Sequence, residues 1–157
     1  MALTDTRLTA ATAAPTTEPA SGTGTRRSST AVLHFLVRVF AAAVVVQFYL
    51  AGRGVFAAKG EVAEAGSLDP HRILGSLLAL VAVAILVTAM VARPGRGMVL
   101  RTVLLLALTV GQGFLAQLGS GLPWVFGALH PVNALLIAGL AVTLVRDTRH
   151  RSPDRPT

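Results

Sequence analysis

The chain has 157 residues, a formal net charge of +7 at pH 7 and no cysteine. Hydrophobic residues make up 53% of it and charged residues 13%, about half the charged fraction of an ordinary soluble domain. The apolar residues lie in long blocks, so lipid is the expected solvent. The missing cysteine excludes disulfides, thiolate chemistry and cysteine-ligated metal centres from this chain.

The N-terminal segment, residues 1–29, is rich in Thr, Ala, Pro and Ser and has few large apolar side chains. Such a composition buries too little surface to offset the entropy of ordering, so we predict a disordered tail. The pair Arg26-Arg27 is also a feature of twin-arginine export signals, but no convincing small-residue cleavage site follows. We favour a basic cytoplasmic anchor.

Four apolar blocks follow, at about 32–51, 73–92, 98–118 and 123–145. Each reaches the roughly 20 residues that a helix needs to cross a bilayer, and in lipid only helices satisfy the backbone within one segment. We predict an all-α integral membrane four-helix bundle over 30–147, followed by a basic tail over 148–157. Asp69-Pro70 is expected to cap the second helix, and Gly52-Arg53-Gly54 to end the first. We identify no internal repeat.

The cations lie at the edges of the apolar blocks, which indicates topology rather than a nucleic-acid partner. One predicted side carries Arg7, Arg26, Arg27, Arg93, Arg96, Arg101, Arg146, Arg149, Arg151 and Arg155. The other side carries Arg53, Lys59 and Arg72 together with Glu61, Glu64 and Asp69. The positive-inside rule therefore predicts that both termini are cytoplasmic.

Two histidines, His71 and His130, fall near the outer ends of the second and fourth spans. Two neutral imidazoles inside a helical bundle are typical axial ligands of a b-type haem. His71 lies 21 residues before Ala92 and His130 only 15 before Val145, a difference of about 9 Å along the helix axes. Helix tilt, or a fourth helix that continues past Arg146, would close that gap; otherwise the two histidines do not meet. The alternative is structural: a hydrated interfacial His71, and a His130 that bonds a carbonyl freed by Pro131.

Polar side chains are otherwise rare within the spans. Gln112 and Gln117 lie beside glycines, a pattern typical of close helix packing with interhelical hydrogen bonds. Gln112 is also a candidate for contacting the polar edge of a haem. No carboxylate lies inside a predicted span, which argues against an ion-coupled carrier.

Three boxes, QFYLAGRGVF (47–56), HRILG (71–75) and LHPVN (129–133), resemble an uncharacterised family of small bacterial four-helix membrane proteins. The segments that begin at His71 and at Gly111 are also distantly similar to one half of a haem A synthase. That resemblance implies a four-helix bundle in which His71 and His130 ligate haem. Leu68 stands where the synthase pattern has a glutamate, and the second half and the cysteine pair are missing, so synthase activity of this chain alone is not expected.

The sequence leaves two functional hypotheses. The first is a membrane protein that binds one haem b for electron transfer or haem handling beside a respiratory or oxidoreductase partner. The second is a cofactor-free accessory or structural subunit in the lipid bilayer.

The predicted topology has a direct test. A reporter fused after Thr157 should behave as cytoplasmic, because ten cations lie on that side of the spans. Paired alkaline phosphatase and fluorescent protein fusions measure this, and phosphatase activity from the fusion after Thr157 would reverse the orientation.

Overall fold

A computed structural model describes residues 21–58, 68–121 and 124–150. These residues form four helices: α1 (Ser21–Ala58), α2 (Asp69–Ala92), α3 (Arg96–Gly121) and α4 (Trp124–His150). Each helix contains a stretch long and apolar enough to cross a membrane, so the prediction of an all-helical, multi-pass membrane bundle is confirmed. Most of the predicted tail, residues 1–20, and the C-terminal residues 151–157 lie outside the described ranges.

The helix ends differ from the predicted ends. Helix α1 begins at Ser21, inside the segment expected to be disordered, and continues through Gly52 and Gly54 to Ala58. A glycine costs a helix only about 1 kcal/mol, which favourable packing along α1 offsets, so the two glycines do not end it. Helix α2 begins one residue before the expected start, with Leu68 as its N-cap and no side-chain cap.

The helices pack in a square, with each one antiparallel to the next. Within the described residues each helix contacts the next one along the chain, α1 also contacts α4, and the diagonal pairs make no contact. The α2–α3 turn is tight, with φ of 49° at Arg93 and 114° at Gly95, where glycine is needed. An ion pair between Arg101 and Asp147 joins α3 to α4 near that end of the bundle.

The buried residues follow one pattern in both hairpins, a similarity that the sequence analysis did not identify. The core positions of α1 are Leu33, Val37, Phe40 and Val44, and those of α3 are Met98, Thr102, Leu105 and Thr109. Those of α2 are Leu78, Ala82, Ile85 and Ala89, and those of α4 are Ile137, Ala141, Leu144 and Thr148. All four sets have the ordinary core spacing of a packed helix. The same alignment of α1 with α3 and of α2 with α4 also pairs Gln47 with Gln112 and His71 with His130, so the two hairpins have similar arrangements.

The outer surface of the bundle is apolar on all four helices. Large side chains such as Phe35, Val45, Leu80, Leu100 and Leu135 are more than 60% exposed. So much exposed apolar surface is foreign to a soluble monomer and suits contact with lipid tails. Threonine hydroxyls on the helices donate to carbonyls of their own helix, as between Thr109 and Leu105 O at 2.7 Å, which keeps them satisfied without water.

The closest helix approach lies where α3 ends and α4 begins. A Cβ atom added to Gly119 would lie 2.8 Å from the Cα atom of Gly127, a distance that real Cβ atoms do not tolerate. Gly119 thus sets how near the two helices lie at the end of the bundle where α2 and α4 begin, which we call the histidine end.

We predict that Gly119→Ala destabilises the bundle by about 1 to 3 kcal/mol, because the added methyl group pushes two backbones apart. Thermal unfolding in mild detergent measures the effect. The matched control is Gly139→Ala, also within a helix, where an added Cβ meets nothing within 4 Å and the stability should hold or rise. Equal midpoints for the two variants would contradict the close approach.

Candidate functional site: two histidine–glutamine pairs around one cavity

The first pair joins α1 to α2 through two reciprocal hydrogen bonds. His71 Nδ1 donates to the main-chain oxygen of Gln47 at 3.2 Å, and Gln47 Nε2 donates to the main-chain oxygen of His71 at 2.8 Å. Gly75, one turn further along α2, leaves room for this amide, since a Cβ there would lie 3.2 Å from Gln47 Nε2. The pair fixes the imidazole against the neighbouring helix.

The second pair repeats this arrangement between α3 and α4. His130 Nδ1 donates to the main-chain oxygen of Gln112 at 3.3 Å, and Gln112 Nε2 donates to the main-chain oxygen of His130 at 2.9 Å. Here Asn133 adds two more bonds, from its Nδ2 to Gln112 Oε1 at 2.6 Å and to Leu108 O at 2.9 Å.

The two imidazoles meet across the interior of the bundle. Their helices, α2 and α4, occupy opposite corners of the square, and the ring centroids lie 6.2 Å apart with an interplanar angle of 62°. The alternative of a fourth helix that continues past Arg146 is therefore confirmed. Helix α4 continues past Val145 to His150, so His130 lies nearly as far from the end of its helix as His71 does from Ala92.

The hydrogen bonds determine which ring nitrogen of each histidine carries the hydrogen. A carbonyl oxygen only accepts, so Nδ1 of each imidazole must carry the hydrogen in the bonds to Gln47 O and Gln112 O. The second ring nitrogen, Nε2, then carries a lone pair; that of His71 lies 3.5 Å from Gln47 Nε2, a long contact that a ligand would have to replace. A histidine whose Nδ1–H is anchored on a carbonyl in this way is the usual form of a metal ligand.

A cavity of about 780 Å³ surrounds the two rings, within the size range of cofactor pockets. All four helices contribute to its wall, and most of the contributing side chains are apolar. Its polar residues are Gln47, His71, Arg72, Ser76, Thr109, Gln112, Gln117 and His130. The cavity thus combines an apolar wall with a few polar groups, which is typical of a site for a large lipophilic ligand.

The two pairs differ in the partners of the glutamine amides. Gln112 Oε1 accepts a bond from Asn133, whereas Gln47 Oε1 is buried and has no hydrogen-bond partner among the described residues. The position equivalent to Asn133, three residues after the histidine of α2, holds Leu74. An unsatisfied buried acceptor costs stability, so the first pair is held less firmly than the second.

The sequence identified three of the four residues in these pairs. His71, His130 and Gln112 were candidate ligands or contacts, and the structure brings them to one cavity with Gln117. Gln47 was missed. The signal that finds it is the similarity between α1 and α3, since Gln47-Phe-Tyr-Leu-Ala in α1 matches Gln112-Gly-Phe-Leu-Ala in α3.

Residues 47–120 match the model of a family of unknown function, DUF6220. The match covers just under half of the chain and takes in Gln47, His71 and Gln112, but ends before His130. No curated protein and no solved structure matches this chain. The resemblance to haem A synthase therefore stays a prediction from motifs.

We predict that Asn133→Leu lowers the free energy of unfolding by about 1 to 3 kcal/mol, since it leaves the buried Gln112 Oε1 without a donor. The reciprocal variant, Leu74→Asn, should raise it by about 1 kcal/mol, because an amide there reaches Gln47 Oε1. Thermal midpoints in detergent measure both. A loss of stability in both variants would show that the two pairs are not equivalent.

Proposed function

We propose that this chain binds one b-type haem between α2 and α4, with His71 and His130 as its two axial ligands. The observation that carries the proposal is the pair of facing imidazoles, 6.2 Å apart between centroids and each anchored through Nδ1. Two imidazoles that share one metal atom at metal–nitrogen distances of about 2 Å have ring centres about 6 Å apart, so the spacing fits.

The number of donors favours haem over a bare metal ion. Within the described residues no group of three or more His, Asp or Glu side chains comes together, whereas a zinc site takes at least three protein ligands. A porphyrin supplies four nitrogens to its iron and asks the protein for only two. The large apolar cavity around His71 and His130 supports the same choice.

The chain's own residues have separate tasks in this proposal. His71 and His130 bind iron through Nε2, while the carbonyls of Gln47 and Gln112 hold the Nδ1–H groups and set the planes of the rings. Phe40, Val44 and Ile137 in the cavity wall exclude water. Haem, when bound, supplies one-electron chemistry, and two strong axial ligands favour electron transfer or haem handling over reactions that need an open iron site.

The surroundings support a role in the plane of the membrane. The exposed apolar surface suits lipid, and the excess of cations on the predicted inner side suits a bacterial plasma membrane with both termini inside. We further propose that the bundle works beside a larger respiratory or oxidoreductase partner, since a single haem needs a donor and an acceptor of electrons.

A cofactor-free accessory subunit is the second candidate. The two histidine–glutamine pairs also tie neighbouring helices together, and interhelical hydrogen bonds of this type stabilise membrane bundles without any ligand. The two candidate functions differ in whether the purified protein contains haem, which its absorption spectrum measures directly.

The protein purified in mild detergent, after expression with ample haem, should give a dithionite-reduced minus oxidised spectrum with sharp Soret and alpha bands of a low-spin, six-coordinate haem. His71→Ala and His130→Ala should each abolish the six-coordinate spectrum, because each removes one axial ligand.

The matched control is His34→Ala, which removes a half-buried histidine of α1 that does not line the cavity, and its spectrum should equal the wild type. Absence of redox-dependent bands from the wild type would overturn the haem proposal and favour the accessory subunit. Unchanged spectra in both alanine variants would reject these two ligands.

A further inference from the structure

Residues at equivalent positions of the two hairpins differ in the side walls of the cavity. Arg72 and Ser76 of α2 line it, and the equivalent positions of α4 are Pro131 and Leu135. On the other two helices, Gly113 of α3 corresponds to Phe48 of α1. One group of positions therefore has Arg72, Ser76 and Gly113. The equivalent positions have the larger or more apolar residues Pro131, Leu135 and Phe48.

The polar side lies between α2 and α3. His71 and Gly75 face α1, as their contacts with Gln47 show, and Arg72 and Ser76 follow them by one position on the helix wheel. Helix α3 is the other neighbour of α2 and contributes Gly113 and, one turn later, Gln117 to the cavity. The opposite side, between α4 and α1, is lined by Phe48 and Pro131.

The Arg72 guanidinium has N–H donors available to bind an anion. Its guanidinium lies 3.5 Å from Asp69 in an ion pair whose side chains are 73% and 58% exposed, and such exposed pairs contribute little energy. A guanidinium has five N–H donors in a planar fork, so a single carboxylate leaves several free. Position 72 is also near the start of α2, where water and ionised groups are tolerated.

We infer that the groove between α2 and α3 is a carboxylate subsite, in which Arg72 and Gln117 hold the two propionates of a haem, while the Ser76 hydroxyl donates to Arg72 O at 3.1 Å and lines the groove. The inference rests on the proposed function and adds the orientation of the ligand. Gly113 leaves space for the carboxylate edge, and Phe48 and Pro131 pack against the apolar edge. An ionised carboxylate needs hydrogen-bond donors wherever water is scarce, and within the cavity wall the cation lies on this side only.

The test compares ferric haem with its dimethyl ester, in which both carboxylates are blocked. Apoprotein in detergent is titrated with each compound, and binding is followed by the Soret band. The wild type should bind haem about tenfold more tightly than the ester, because charge-assisted hydrogen bonds to Arg72 are lost in the ester. In Arg72→Gln this preference should fall to about twofold or less, with the low-spin spectrum retained.

The matched control is Arg53→Gln, which removes an exposed cation of α1 that does not line the cavity and should keep the wild-type preference. Equal preference in the wild type and in Arg72→Gln would overturn the subsite, while a low-spin spectrum in both would leave the haem proposal standing. A wild type that binds neither compound would overturn both.

Discussion

Two hydrogen bonds exchanged between one histidine and one glutamine, made twice, determine the geometry of the histidine end. Each pair uses a side-chain donor from one helix and a main-chain oxygen from its neighbour, in both directions. Because the bonds run in both directions between two helices, each pair also fixes the register of those helices. Since the pairs lie on opposite sides of the square, both imidazoles point inward and meet.

The rest of the bundle follows from repeating that unit. Each hairpin presents the same set of core positions, and small residues such as Ala82, Ala89 and Ala141 at these positions allow close packing of the helices. Two hairpins of similar arrangement, packed side by side, give the square in which the backbones of consecutive helices contact and those of diagonal helices do not. A gap between the diagonal helices at the histidine end then becomes the cavity.

The sequence predicted the four spans because length and hydropathy alone decide what crosses a bilayer. It also identified His71 and His130, since polar groups beside apolar blocks are rare enough to stand out. It missed Gln47, which is one polar residue among several in α1 until α1 is aligned with α3. The helix ends were the least predictable feature: Gly52 and Gly54 are signals for a stop in water, but a membrane helix keeps its backbone bonded across them.

The places where the two hairpins differ are as informative as their similarity. Helix packing and histidine placement are conditions that two similar hairpins satisfy equally well, so no packing requirement explains a cation at 72 and a proline at 131. A porphyrin ring has near-symmetric faces and an apolar edge opposite a charged one. Under the proposed function, the two sides of the cavity would meet different edges of that ring. Arg72 and Ser76 on one side, with Phe48 and Pro131 on the other, follow that pattern.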